Sequence, residues 1–219
     1  MSVAAVHSEI LEPSHATPDT SSPVAALKSF QSATRNQDRP AIENLFFSND
    51  DREKTLAGVI AEMIVATRKL ELSIETKFPG NNSVSAPASD EKKLDRATVK
   101  ITGNLATLIP DGQKKEIHFR NASQNAIPAW RLIVHDYAVA DMEIDRQISL
   151  LQKSVGVIER VRADVEQGQF KSAADAQSAM QKQLATIMMR AATRPSTTSS
   201  TRPATNPATS PATTPAKSS

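Results

Sequence analysis

The sequence predicts an α+β fold in which helices are wrapped by a curved four-stranded antiparallel meander, followed by a C-terminal antiparallel helical hairpin. Two observations predict it. Apolar residues recur at threes and fours between residues 23 and 78, switch to alternation between 97 and 135, and return to threes and fours beyond 144. Within the alternating stretch stand two short turn signals, Gly103-Asn104 and Asp111-Gly112, of the kind that close hairpins.

The helices justify themselves in order. Ser22 is placed to cap the first helix, Pro23 suits its first position, and Val24, Leu27, Phe30 and Ala33 line one side. Pro40 starts a second, shorter helix whose Ile42, Leu45 and Phe46 face inward. The third is the strongest, with Leu56, Val59, Ile60, Met63, Ile64, Thr67, Leu70 and Ile74 at helical spacing. Asp50 and Glu53 fit a capping box at its start, and Pro79 and Gly80 end it.

The strands follow. A two-residue turn at Gly103-Asn104 pairs Ile101 with Ala106 and Val99 with Leu108 on one face. Counting across Asp111-Gly112 places Ala106 opposite Ile117 and Leu105 opposite His118, so that Ile117 and Phe119 continue the first face. A fourth strand runs through "AWRLIVHDY", with Trp130, Leu132 and Val134 alternating against Arg131, Ile133 and His135. Helix then resumes: Ile144, Ile148, Leu151, Val155, Ile158 and Val165 form one stripe, Gly168 stops it, and Ser172 with Asp175 restarts a second helix. Phe170 is the staple residue of that helix, and Ala176, Met180, Leu184, Ile187 and Met188 make its apolar side. The methionines, Met63, Met180, Met188 and Met189, read as packing residues.

The ends are of a different texture. Residues 1–22 lack sustained periodicity, and the Pro, Thr, Ser and Ala of residues 194–219 include no large apolar side chain. Neither offers burial to offset the entropy of ordering. The expected organisation is a disordered arm over 1–22, an α+β domain over 23–136, a helical hairpin over 137–193 and a disordered tail over 194–219.

Charge narrows the function classes. The net charge of +2 is spread thinly: residues 1–22 hold three acids and no bases, 23–136 hold 16 bases against 14 acids, 137–193 seven of each, and the tail three bases and no acids. No cluster of Lys and Arg stands out in the sequence, so nucleic acid is not an expected partner. There is no Cys, which excludes disulfides and thiolate chemistry, and four scattered His argue against a metal centre. No cofactor is expected, because the six Gly stand singly and form no phosphate-binding fingerprint. No stretch reaches the length of a membrane span and no basic leader precedes an apolar run. The chain as written is expected to be soluble and cytoplasmic, with an envelope location following only if translation starts upstream. The Pro/Thr-rich tail is then a linker rather than a cell-wall stalk.

The stretches "ATVKITGNLATLI", "PAWRLIV" and "DRPAIENLF" resemble the alternating strand, closing Trp-Arg strand and early helical crossing of the nuclear transport factor 2-like superfamily, also called cystatin-like. The resemblance covers residues 23–136. It implies a cone of sheet around the long helix, and a superfamily in which isomerases and dehydratases stand beside adaptors and noncatalytic domains. An enzyme of this kind would place an Asp or His base inside the cone, with a Tyr or acid donor. Among Asp95, His118, His135, Asp136 and Tyr137 no constellation converges, and the strand count turns His118 and His135 outward. No catalytic residue is therefore assigned. Trp130, Asp95 and Tyr137 are the candidates for binding a small ligand at the cone mouth, with Trp130 read first as core.

The outer sheet face, with Leu105, Ile109, His118 and Ile133, is the candidate interaction surface, because it is more apolar than a solvated face requires. Two occupants suit it, the C-terminal hairpin folded back or a second copy of the chain, and a third possibility is that the Ile144 to Val165 stripe forms a coiled coil with a protein partner. The intramolecular cover is preferred because a short connection sets a high effective concentration. The expected function is a noncatalytic interaction or small-ligand-binding domain. A lyase or isomerase with an acid-base residue at the cone mouth is the alternative, and a tethered envelope protein the third reading.

Overall fold

The computed structural model of the chain describes residues 17–80, 92–123, 127–139 and 142–192. Most of the expected arm and the whole tail lie outside the described residues. Residues 17–22, counted with the arm above, are hydrogen-bonded into the fold: Asp19 N donates to Ser29 Oγ at 2.9 Å, and Trp130 N donates to Thr20 O at 2.8 Å.

Helix α1 (Pro23–Arg35) begins as the cap chemistry dictates, with Ser22 Oγ accepting from Ala25 N at 3.1 Å. Helix α2 (Arg39–Asn44) is capped in the same manner by Asp38, and delivers Ile42, Leu45 and Phe46 to the interior, each at most 2% exposed. Helix α3 (Asp51–Lys77) is 27 residues long, about 40 Å at 1.5 Å per residue. Its first half buries an unbroken run from Leu56 to Ala61, so it is enclosed on more than one side.

The sheet has five strands, one more than the expected four. Strands β2 (Thr98–Thr102), β3 (Leu105–Ile109), β4 (Ile117–Asn121) and β5 (Trp130–Ile133) pair antiparallel in succession, and β1 (Phe46–Phe47) adds a parallel edge beside β5, giving the order β1-β5-β4-β3-β2. A two-residue strand is too short to show alternation in sequence. It is fixed instead by its partner, with Leu132 N donating to Leu45 O at 2.9 Å.

The first hairpin has the expected register, with Ile101 opposite Ala106 and Val99 opposite Leu108. The second does not. Ala106 faces Phe119 and Thr107 faces His118, two residues away from the count made across Asp111-Gly112. The turn signal lies inside a longer connection, residues 110–116, whose unpaired residues absorb the difference. A slip of two preserves the faces, since side chains alternate with period two, so Ile117 and Phe119 remain on the side of Leu108 and Ala106. The fourth strand also ends early. Residues Val134–Tyr137 coil into a 3₁₀ turn, which keeps Val134 buried but removes His135, Asp136 and Tyr137 from the strand.

One hydrophobic cluster fills the space between the helices and one face of the sheet, with Leu56, Ile60, Leu108, Phe119, Leu132 and Val134 all at most 1% exposed. A second joins Ala66 and Leu70 of α3 to α4 (Ile144–Glu166) and α5 (Ala173–Ala192) through Ile158, Val161, Val165 and Ala176. The preferred reading of the C-terminal helices as a cover for the outer sheet face is thereby corrected. α4 packs chiefly along α3, because α3 carries a second apolar face, Met63, Ala66, Leu70 and Ile74, beyond the reach of the first cluster, and α5 packs on α4. At roughly 1.5–3 kcal/mol per fully buried Val, Leu or Ile, an upper bound since the unfolded chain is itself partly compact, this seam is as much core as the sheet. Met188 and Met189 are exceptions to the packing assignment of the methionines, being 55% and 66% exposed. Among the described residues no helix is long and apolar enough to cross a membrane.

Candidate functional site

The face of the sheet turned toward the helices is filled. Ala106, Leu108, Phe119, Trp130 and Leu132 are each at most 5% exposed and belong to the main cluster. Trp130 is thus a core residue. The Tyr137 ring lies against the Phe46 and Phe30 rings, with centroids 5.1 and 6.1 Å apart. Burial raises its phenol pKa, and the neighbouring Asp136 carboxylate raises it further. Asp95 stands apart from both: it ends a short helical turn at residues 92–95, is exposed, and accepts from Lys28 Nζ at 2.6 Å. The three ligand candidates therefore line no common open site.

The opposite face is organised in cross-strand rows. One runs Thr102, Leu105, Arg120, Arg131, and the next runs Lys100, Thr107, His118. Ile133 pairs with Phe47, and Ile109 with Thr98, on the same side. Leu105 is 48% exposed, while Ile109, His118 and Ile133 are half-buried. None of these outward strand residues is acidic. At the free edge the alternation fails to bury anything: all five residues of β2 are exposed, including Val99 and Ile101 of the expected inner face. Among the described residues no strand lies beyond β2 to extend the core over them.

A polar network borders this face where β1 leads into α3. Asp50 caps α3 by accepting from Glu53 N at 2.8 Å, as the sequence suggests. The Glu53 side chain, however, reaches one residue further back than a capping box requires. Its Oε2 accepts from Asn49 N at 2.6 Å and from Asn49 Nδ2 at 2.8 Å, and its Oε1 stands 3.0 Å from His135 Nε2. Glu53 is only 7% exposed. Burial alone would raise its pKa, but the Asn49 backbone N–H, His135 and the Asn49 amide together outweigh that and lower it. Asn49 Oδ1 in turn accepts from Arg120 Nη1 at 3.3 Å, and the Arg120 guanidinium lies 4.6 Å from the centroid of the Phe47 ring.

His118 has the geometry of an orienting contact rather than of a base presented to substrate. Its Nδ1 stands 2.9 Å from Asp136 Oδ2, which also accepts from His118 N at 3.1 Å, and its Nε2 faces Glu116 Oε2 at 3.4 Å. Both ring nitrogens are engaged by carboxylates. His135 lies in the 3₁₀ turn with Glu53 as partner. Two open grooves lie away from the sheet. One, of about 370 Å³, is lined by Asp51, Arg52, Thr55, Asp145 and Gln152 between the first turns of α3 and α4, and the other by Leu72, Ser73, Thr76 and Glu166.

The sequence reading missed Arg120, Arg131, Phe47 and Asn49. The two arginines become neighbours only through the β4–β5 register, and Phe47 joins them only through the parallel β1 edge. The adjacent pair Phe46-Phe47 was the available signal, since consecutive residues of a strand point to opposite faces. No family model, no curated protein and no solved structure matches the chain.

Proposed function

We propose that this chain is a noncatalytic protein-interaction domain of the nuclear transport factor 2-like type, and that its docking surface is the outer face of the sheet. In this reading strands β2 to β5 are the four-stranded meander of that superfamily, β1 is an added edge, and α4 with α5 is an antiparallel hairpin appended to the long helix. The observation that carries it is the outer face itself. Leu105 is 48% exposed and Ile109 and Ile133 are half-buried there, while of the C-terminal helices that were the cheapest cover α4 packs along α3 and α5 on α4. An apolar face rimmed by polar side chains is a surface on which another protein can dock. A lyase or isomerase reading lacks comparable support, because the inner face holds packed apolar side chains and both ring nitrogens of His118 face carboxylates.

The test is site-specific photocrosslinking of the full chain in its own cells, with the crosslinker at Leu105 or Ile109 and, as a comparison, at Gln152 on α4. The outer-face positions should yield a discrete adduct to one protein species that Gln152 does not yield. Equal adducts from all three positions, or none from Leu105 and Ile109, would sink the reading.

A further inference from the structure

Arg120 and Arg131 stand directly opposite one another on the outer face. Paired strands lie about 4.8 Å apart, and like charges placed directly opposite destabilise a sheet. Arg131 is exposed and forms no ion pair among the described residues. Arg120 is held in place by the Phe47 ring and by its single hydrogen bond to Asn49, so four of the five N–H donors of its guanidinium have no protein acceptor among the described residues. The outward strand residues around the two include no carboxylate, and the third cation of the face, Lys100, lies in the neighbouring row. Leu105 occupies the next position in the arginine row.

We propose that the row Leu105–Arg120–Arg131 is the docking site for an acidic segment of a protein partner, in which the two guanidiniums hold its carboxylates and Leu105 takes an apolar side chain beside them. The proposal rests on the interaction reading above and adds to it the chemistry of the partner. Two guanidiniums with free donors, one already oriented, match carboxylates in fork geometry. An acidic peptide is favoured over a nucleic acid on two grounds. The cations are confined to a short stretch, with Glu116 and Asp136 flanking His118 in the adjacent row, where an extended phosphate backbone would be repelled. The row also offers an exposed leucine, which serves a peptide side chain and not a phosphate.

The experiment titrates the full chain against a short fluorescein-labelled peptide of alternating Glu and Leu, the same peptide with Gln for Glu, and a single-stranded oligonucleotide of equal length. The acidic peptide should bind, weaken as salt is raised, and lose about tenfold in affinity in Arg131→Gln and about a hundredfold in Arg120→Gln/Arg131→Gln, at roughly tenfold per lost charged contact. Leu105→Ser should cost a few-fold. Because the arginines repel one another, Arg131→Gln should also raise the thermal midpoint of the free protein by about 2 °C. Failure of the acidic peptide to bind, equal binding of the Gln peptide, unchanged affinity in the folded double variant, or tighter binding of the oligonucleotide would each overturn the proposal. The two readings fail separately. Adducts at Leu105 that persist in the double variant leave the docking face standing and remove the acidic partner, whereas no adduct in the unaltered chain removes the face itself.

Discussion

Replacing Glu53 by Gln should destabilise the domain by about 1.5 kcal/mol, toward the lower end of the value of a hydrogen bond to a charged group. The carboxylate is nearly buried and receives Asn49 N, Asn49 Nδ2 and His135 Nε2 within 3.0 Å. An amide has one oxygen. If that oxygen takes the place of Oε2 it keeps Asn49, and its NH₂ then meets His135, so one charge-assisted contact is lost. The His135 side chain is 51% exposed, and solvent screening keeps the loss from being larger. For a chain of this size the expected fall in thermal midpoint is about 3–6 °C. Trp130 is the single tryptophan and lies in the core, so its fluorescence during urea unfolding reads the transition directly. The pH dependence supplies the sign. Glu53 has a lowered pKa in the folded state, so its contribution is fully present above the unfolded value of about 4.3 and is lost as pH falls through the folded value. The difference between the parent and Glu53→Gln should be complete at about pH 6 and close below about pH 4. Adding His135→Ala to Glu53→Gln should cost little more, because the contact is already broken. A midpoint shift under about 1 °C at neutral pH, or a difference undiminished at about pH 3, would refute the assignment of Glu53 as the ionised centre of this network.

Three further outcomes follow from backbone geometry and burial. Gly103 has φ +62° in the β2–β3 turn and Gly156 lies inside α4 with open space where a Cβ would go, so Gly103→Ala should lose about 1 kcal/mol and Gly156→Ala gain about 0.5–1 kcal/mol, measured by the same urea transition. Tyr137 is the single tyrosine, and its raised pKa predicts that absorbance near 295 nm stays flat through pH 10, where a free phenol is half ionised; a step there would mean the ring is solvated.

What could be read from the sequence was whatever depends on neighbours in the chain. The Ser22 cap, the proline starts, the Gly168 stop and the Gly103-Asn104 register rest on residues within a few positions of one another. The face assignment of Phe119 survived a wrong register because alternation is insensitive to a slip of two. What could not be read depends on partners far away. Whether α4 covers the sheet or α3 is a competition between two apolar surfaces, and one periodic stripe on α4 suits both. The Glu53–His135 contact and the Arg120–Arg131 pair likewise unite residues whose separation in sequence carries no signal. Asp95 and Tyr137 are both chain-adjacent to strands, and only packing sends one to solvent and the other among aromatic rings.

The parallel pairing of Phe46 with Leu132 has a consequence for how the chain is made. Until β5 has been made, α1, α2 and α3 are complete, but Leu45, Phe46 and Phe119 lack the strand that buries them, and Thr20 lacks the Trp130 amide it accepts from. Local helices cannot complete this core by themselves. Its closure waits for the last strand and joins the two most distant parts of the sheet in one step, which is the kind of non-local contact that slows folding and leaves nascent chains dependent on chaperones.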